Sequence, residues 1–151
     1  MRVENDILIP ELARLLNEEK EVRFTPSGNS MRPFIEGEKD SVVLAPLNKP
    51  PRKGDILLAR VHLADRMTYV LHRVLRVEEN EQKTIYVLQG DGNLQGEERC
   101  TKDEIIGIVK RVEYPSGRRK MHSSACLWQC LMPYRRYLLK IYRHTWLKWR
   151  Y

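Results

Sequence analysis

Six short runs, most of them rich in Val, Ile, Leu and Tyr, constrain this chain more than any other feature of its sequence. They cover residues 21–24, 41–45, 56–61, 68–77, 84–89 and 105–112. Between them lie turn-forming clusters such as Glu36-Gly37-Glu38, Lys49-Pro50-Pro51-Arg52-Lys53-Gly54-Asp55 and Gly90-Asp91-Gly92-Asn93. Short apolar runs at this spacing predict a mostly antiparallel sheet or small barrel. Ahead of them the pattern is helical over 8–20, because Leu8, Leu12, Leu15 and Leu16 fall at i, i+4, i+7 and i+8, and Pro10 is tolerated in a first turn. No repeat of roughly 20–50 residues interrupts this order.

At 151 residues the chain suits one core, and a domain of that size buries about 70% of its unfolded surface. Its 42% hydrophobic and 31% charged residues exclude a collagen-like, low-complexity or wholly disordered chain. The sheet pattern stops near Tyr114-Pro115-Ser116-Gly117, so the expected organisation is an N-terminal helix (1–20), a β domain (21–115) and a C-terminal tail (116–151) that is helical with a break at Pro133.

Charge is concentrated in the tail. Residues 114–151 hold nine of the 27 Lys and Arg and none of the 20 Asp and Glu, leaving 18 cations and 20 anions in the rest. Tyr134, Tyr137, Leu138, Ile141, Tyr142 and Thr145 fall on one helical face, with Arg135, Arg136, Lys140, Arg143 and Lys148 mostly elsewhere. Such a helix can pack its aromatic stripe on the sheet and leave its basic face in water. It can also adsorb peripherally to an anionic membrane, with nucleic acid or an acidic protein as a less favoured partner. The three cysteines, Cys100, Cys126 and Cys130, form no disulfide framework and are expected as reduced thiols. Glu4 and Asp6 stand where a signal peptide is positive, Ile7-Leu8-Ile9 is too short for its core, and no run of about 18 apolar residues exists. These features together lead to the expectation of a cytoplasmic protein, peripheral on a membrane at most.

The stretch Thr25-Pro26-Ser27-Gly28-Asn29-Ser30-Met31-Arg32-Pro33 frames a serine in a distinctive way. Gly28 permits close backbone approach, Met31 offers an apolar anchor, and Pro33 stiffens the exit. By themselves these residues also read as an ordinary turn.

The order of motifs is more informative. Ser30-Met31-x-Pro33 is followed by Gly37 and a Val-Val-Leu run, then Lys53-Gly54-Asp55-Ile56-Leu57, Leu71-His72-Arg73-Val74, Gly90-Asp91-Gly92-Asn93 and Ile106-Gly107-Ile108-Val109. This series resembles the signal peptidase and LexA-type superfamily of serine peptidases over roughly residues 22–113. The resemblance implies a mainly β, antiparallel peptidase fold in which Ser30 attacks the scissile carbonyl. It places a base at His72, as in the archaeal and endoplasmic-reticulum signal peptidases, where other members carry a lysine. An imidazole titrates near neutrality and takes a hydroxyl proton without the burial a lysine needs. Lys110-Arg111-Val112 also spells the lysine-type motif, but it follows the Gly-Asp-Gly-Asn box and is read as a surface segment. The acid that orients His72 is expected to be Asp91, with Glu97 as the alternative. Gly28 stands where many signal peptidases carry a second hydroxyl, so oxyanion stabilisation falls to the Ser30 amide, with Asn29 and Met31 as neighbouring oxyanion or substrate contacts.

The implied activity is a serine endopeptidase acting on leader- or signal-like peptides after small residues, with the substrate bound extended by strand addition. No His/Cys cluster has metal-ligand spacing, and no cofactor is implied. The 29 residues before Ser30 hold no Ala-Gly pair and no helix-turn-helix, so LexA-style self-cleavage is not expected. Ser123-Ser124-Ala125 before Cys126 carries the small-x-small pattern of a processing site. The alternative is a catalytically inactive binding module that docks on membrane or nucleic acid through the basic tail.

Overall fold

All six anticipated runs are strands, and two further strands join them. The fold is that of a computed structural model describing residues 5–117, 119–121 and 130–148. Its elements are α1 (Asn5–Asn17), β1 (Val22–Phe24), β2 (Ser41–Ala45), β3 (Ile56–Leu63), β4 (Arg66–Glu79), β5 (Thr84–Gln89), β6 (Glu98–Thr101), β7 (Ile105–Glu113), β8 (Arg119–Met121) and α2 (Arg135–Lys148). The sheet is antiparallel with order β1-β2-β7-β3-β4-β5-β6. β7 pairs with β3 through its first half and with β8 through Arg111 to Glu113.

Side chains of β3 show how the sheet is held. Successive residues point to opposite faces. Ile56 and Leu58 join a cluster with Ile9, Leu12 and Leu16 of α1 and with Met31 and Ile35, whereas Leu57, Ala59 and Val61 join Val74, Leu88 and Cys100 on the other face. β3 is therefore buried on both sides, and Leu57→Ala is expected to cost about 2–5 kcal/mol. α1 lies against β7 at Gly107, where a Cβ would come within 2.9 Å of Leu16 Cδ1.

α1 begins three residues before the expected start and stops at Asn17, because Glu19 adopts a left-handed φ of 60° that ends the helix. Pro10 consequently lies inside the helix and not in its first turn. The hydrogen bond it forfeits is offset by burial of Ile9, Leu12 and Leu16 along one stripe.

The tail helix differs from expectation in which face it buries. Arg135 and Leu139 are buried and Leu138 and Tyr142 half-buried, whereas Tyr134, Tyr137 and Ile141 are exposed. The supposed aromatic stripe thus splits. The cause is a polar anchor: the Arg135 guanidinium donates to Gln89 Oε1 at 2.9 Å, which rotates the Arg135-Leu139-Tyr142 side inward. Burial holds the Arg135 guanidinium below its usual pKa, partly countered by nearby Asp91. No helix among the described residues is long and apolar enough to cross a membrane. The Ser123-Ser124-Ala125 segment lies outside the described residues.

Candidate active site

Ser30 opens a tight turn between β1 and β2. The N–H groups of Phe34 and Ile35 both donate to the Met31 carbonyl, at 3.1 and 3.0 Å. Met31 and Ile35 are sunk in the core, which fixes the turn from below. Gly28, at φ 86°, lets the incoming chain pass so close to Gly37 that a Cβ there would lie 1.9 Å from the Gly28 carbonyl oxygen. The Glu38 N–H donates to the Pro26 carbonyl at 2.8 Å and closes the loop.

A second loop presses on the serine from above. In the turn Gly90-Asp91-Gly92-Asn93, the Gly92 N–H donates to the Ser30 carbonyl at 2.7 Å, and a Cβ on Gly90 would sit 2.5 Å from that same oxygen. The turn is held to the sheet by an ion pair. Arg73 Nε and Nη2 donate to the two Asp91 oxygens, each at 2.7 Å, and Arg73 Nη1 donates to the Gly54 carbonyl at 2.8 Å. Both side chains are almost wholly buried, 1% and 0% exposed. The guanidinium also lies 5.6 Å from the centre of the Phe34 ring. Gly54-Asp55, Arg73, Gly90-Asp91 and the serine turn thus form one buried scaffold.

β4 delivers the imidazole. His72, paired with Leu57 in the β3–β4 register, is buried, and its Nε2 lies 3.0 Å from Ser30 Oγ. Its Nδ1 lies 2.9 Å from Glu98 Oε2 on β6. A carboxylate accepts, so Nδ1 carries the proton and Nε2 presents a lone pair to the hydroxyl. A hydroxyl, an imidazole and a carboxylate linked in this way can move the hydroxyl proton onto the ring while the carboxylate stabilises the resulting imidazolium.

The orienting acid differs from both expected residues. Asp91 faces Arg73 and not His72, because a buried guanidinium requires a carboxylate and takes both of its oxygens. Glu97 pairs with Arg76 at 2.9 and 3.0 Å on the exposed surface, and Arg76 holds its carboxyl below the usual range. Glu98 is the partner. Within β6 alternate residues share a face, so Glu98 turns inward with buried Cys100 while Arg99 turns outward; Glu97 lies just ahead of the strand and is held at the surface by Arg76. The signal for Glu98 was the alternation in Glu98-Arg99-Cys100-Thr101, hidden because three of the four residues are polar.

Beside the serine lies a cleft of about 120 Å³, with Ser27, Gly28, Met31 and Ile35 on one side and Tyr69, Leu71 and His72 on the other. Met31 serves both as core anchor and as cleft wall. Asn29, expected at the same place, is exposed and does not line the cleft; its carbonyl accepts the Arg32 N–H at 3.2 Å and its residue closes the turn. The Ser30 backbone N–H donates to no acceptor among the described residues. Lys110 is at the surface, paired with Glu21, remote from this chemistry. No three His, Cys, Asp or Glu side chains among the described residues gather as metal ligands would. Comparisons with protein-family models, with curated proteins and with solved structures find no match for this chain.

Proposed function

We propose that the chain is a serine endopeptidase of the signal peptidase/LexA-like type, cleaving leader- or signal-like peptides after small residues. One observation carries the reading: the unbroken path from Ser30 Oγ through His72 to Glu98, which joins three segments distant in sequence. In the first step Ser30 Oγ bonds to the scissile carbonyl carbon as its proton passes to His72 Nε2. The carbonyl electron pair moves onto oxygen, and the free Ser30 N–H donates to that oxyanion, a contact worth roughly 3 kcal/mol of barrier. Collapse breaks the C–N bond, and the leaving amine takes the proton from Nε2. Water then attacks the acyl ester with His72 again as base, releasing the new carboxyl terminus and restoring Ser30.

Two features support a peptide as substrate. β3 covers one edge of β4 from Arg66 to Arg73 and β5 covers the other only from Arg73 to Glu79, so residues 66–72 present a strand edge, open among the described residues, beside the cleft. An extended peptide can add there through its backbone. The cleft's small volume and the apolar Met31, Ile35 and Leu71 side chains favour a small residue beside the cut.

Incubation with a diverse peptide mixture, read by mass spectrometry, tests the proposal. Wild-type protein is expected to cut a subset after small residues, and Ser30→Ala and His72→Ala are each expected to lose that cleavage while remaining folded, as read by circular dichroism. Cleavage at the wild-type rate by either variant overturns the reading and leaves the binding module.

A further inference from the structure

The outer surface of α2 carries two adjoining stripes that no part of the described chain covers. Tyr134, in the turn before the helix, with Tyr137 and Ile141, is 62%, 70% and 60% exposed, respectively. Tyr137 and Ile141 are one turn apart on the same face. Arg136, Lys140 and Arg143 repeat at i, i+4 and i+7 as a second exposed stripe, with exposed His144 between the two at roughly 100° per residue. The three cations have no ion-pair partner among the described residues, and no acid occurs anywhere from 114 to 151. The inner side is already engaged through Arg135 and Leu139. The helix is therefore anchored to the body while its apolar and cationic stripes both face outward.

We propose that this face of α2 docks on an anionic phospholipid surface. Tyrosine rings and an isoleucine leave water at the headgroup boundary while neighbouring cations meet lipid phosphates, the arrangement of an interfacial helix. Charge complementarity selects the occupant: the net positive charge lies within residues 114–151 of an otherwise near-neutral chain, three of those cations are exposed on this face, and an anionic bilayer offers phosphates together with an apolar layer. A nucleic acid offers the phosphates alone to Ile141, which cannot join base stacking as the tyrosines can. This docking is independent of the peptidase reading.

Full-length protein is co-sedimented with vesicles of phosphatidylcholine and with vesicles of an equimolar phosphatidylcholine and phosphatidylglycerol mixture, at low and high salt, and is titrated in parallel against a fluorescent single-stranded oligonucleotide. Retention is expected on the anionic vesicles only, falling with salt. Each cation near such a surface contributes about fivefold, so Arg136→Gln, Lys140→Gln and Arg143→Gln together are expected to weaken retention on the order of a hundredfold. Tyr137→Ser with Ile141→Ser is expected to abolish the part that survives high salt. All five side chains are exposed, so unfolding temperature and cleavage of soluble peptides stay unchanged in these variants. Equal retention on neutral vesicles, undiminished retention by the triple variant, or tight oligonucleotide binding without vesicle binding overturns the proposal.

Discussion

Gly90→Ala probes the proposed mechanism without replacing any side chain that takes part in it. The added Cβ would lie 2.5 Å from the Ser30 carbonyl oxygen, 2.9 Å from Asn93 Nδ2 and 3.0 Å from Ser30 Cβ. Reaching ordinary contact at 3.4 Å requires the serine turn or the Gly90 turn to yield by about 0.9 Å. The Gly90 turn is bound to Arg73 by its buried ion pair, and the serine turn rests on buried Met31 and Ile35, so the strain is shared and Ser30 moves relative to His72. Overpacking of this kind costs about 1–3 kcal/mol of stability. A displacement of roughly 1 Å between reacting groups costs on the order of a hundredfold in rate. The assay is steady-state cleavage of the best peptide from the mixture, with thermal unfolding measured alongside. Gly117→Ala is the control, since Gly117 at φ 78° is strained by a side chain but has open space around its Cβ. Gly90→Ala should lose kcat about a hundredfold, while Gly117→Ala loses stability alone. Equal kcat in the two variants refutes the claim that the glycine turn sets the position of the serine.

The three acids near His72 should separate by assay. Glu98→Gln is expected to lower kcat by roughly 10²–10⁴ with little change in unfolding temperature, while exposed Glu97→Gln changes neither; peptide kinetics on both variants check this. Asp91→Ala strands a buried guanidinium and is expected to lose about 3–5 kcal/mol in urea denaturation, so its activity loss should follow the folded fraction. Burial pushes the Cys100 thiol up to about 12 from an ordinary 9.0. The unfolded chain releases this proton first, so the thiol's contribution to stability is complete below pH 9 and declines as pH rises towards 12, by at most about 1.4 kcal/mol per pH unit. Denaturation midpoints of wild type and Cys100→Ala across that range should converge as pH rises; parallel curves contradict the assignment.

Much of the sheet is legible because its strands pair burial with β-branched and other apolar residues: Val42, Val43 and Leu44, or Val87 and Leu88, have few places to go except a core. β6 was not legible for the opposite reason. Glu98-Arg99-Cys100-Thr101 owes its extended form to pairing with β5 and carries little local signal. With β6 silent in the sequence, the inward-facing position of Glu98 opposite His72 is silent too, because it follows from the alternation of that strand. The family resemblance carried by the order of motifs implies Ser30 and His72 as neighbours, and the fold brings their polar atoms to 3.0 Å. The tail shows the limit of periodicity: counting apolar residues turned Tyr137 and Ile141 inward, but a single guanidinium reaching Gln89 decided the rotation of the helix.

The most direct measurement of the central claim is a double-mutant cycle on peptide cleavage, with Ser30→Ala, His72→Ala and the double variant compared as kcat/KM. If the hydroxyl and imidazole act as one unit, each single substitution lowers kcat/KM on the order of 10⁴-fold or more and the double variant falls no further than the worse single. Losses that multiply in the double variant, or a single variant that retains wild-type kcat/KM, would contradict it.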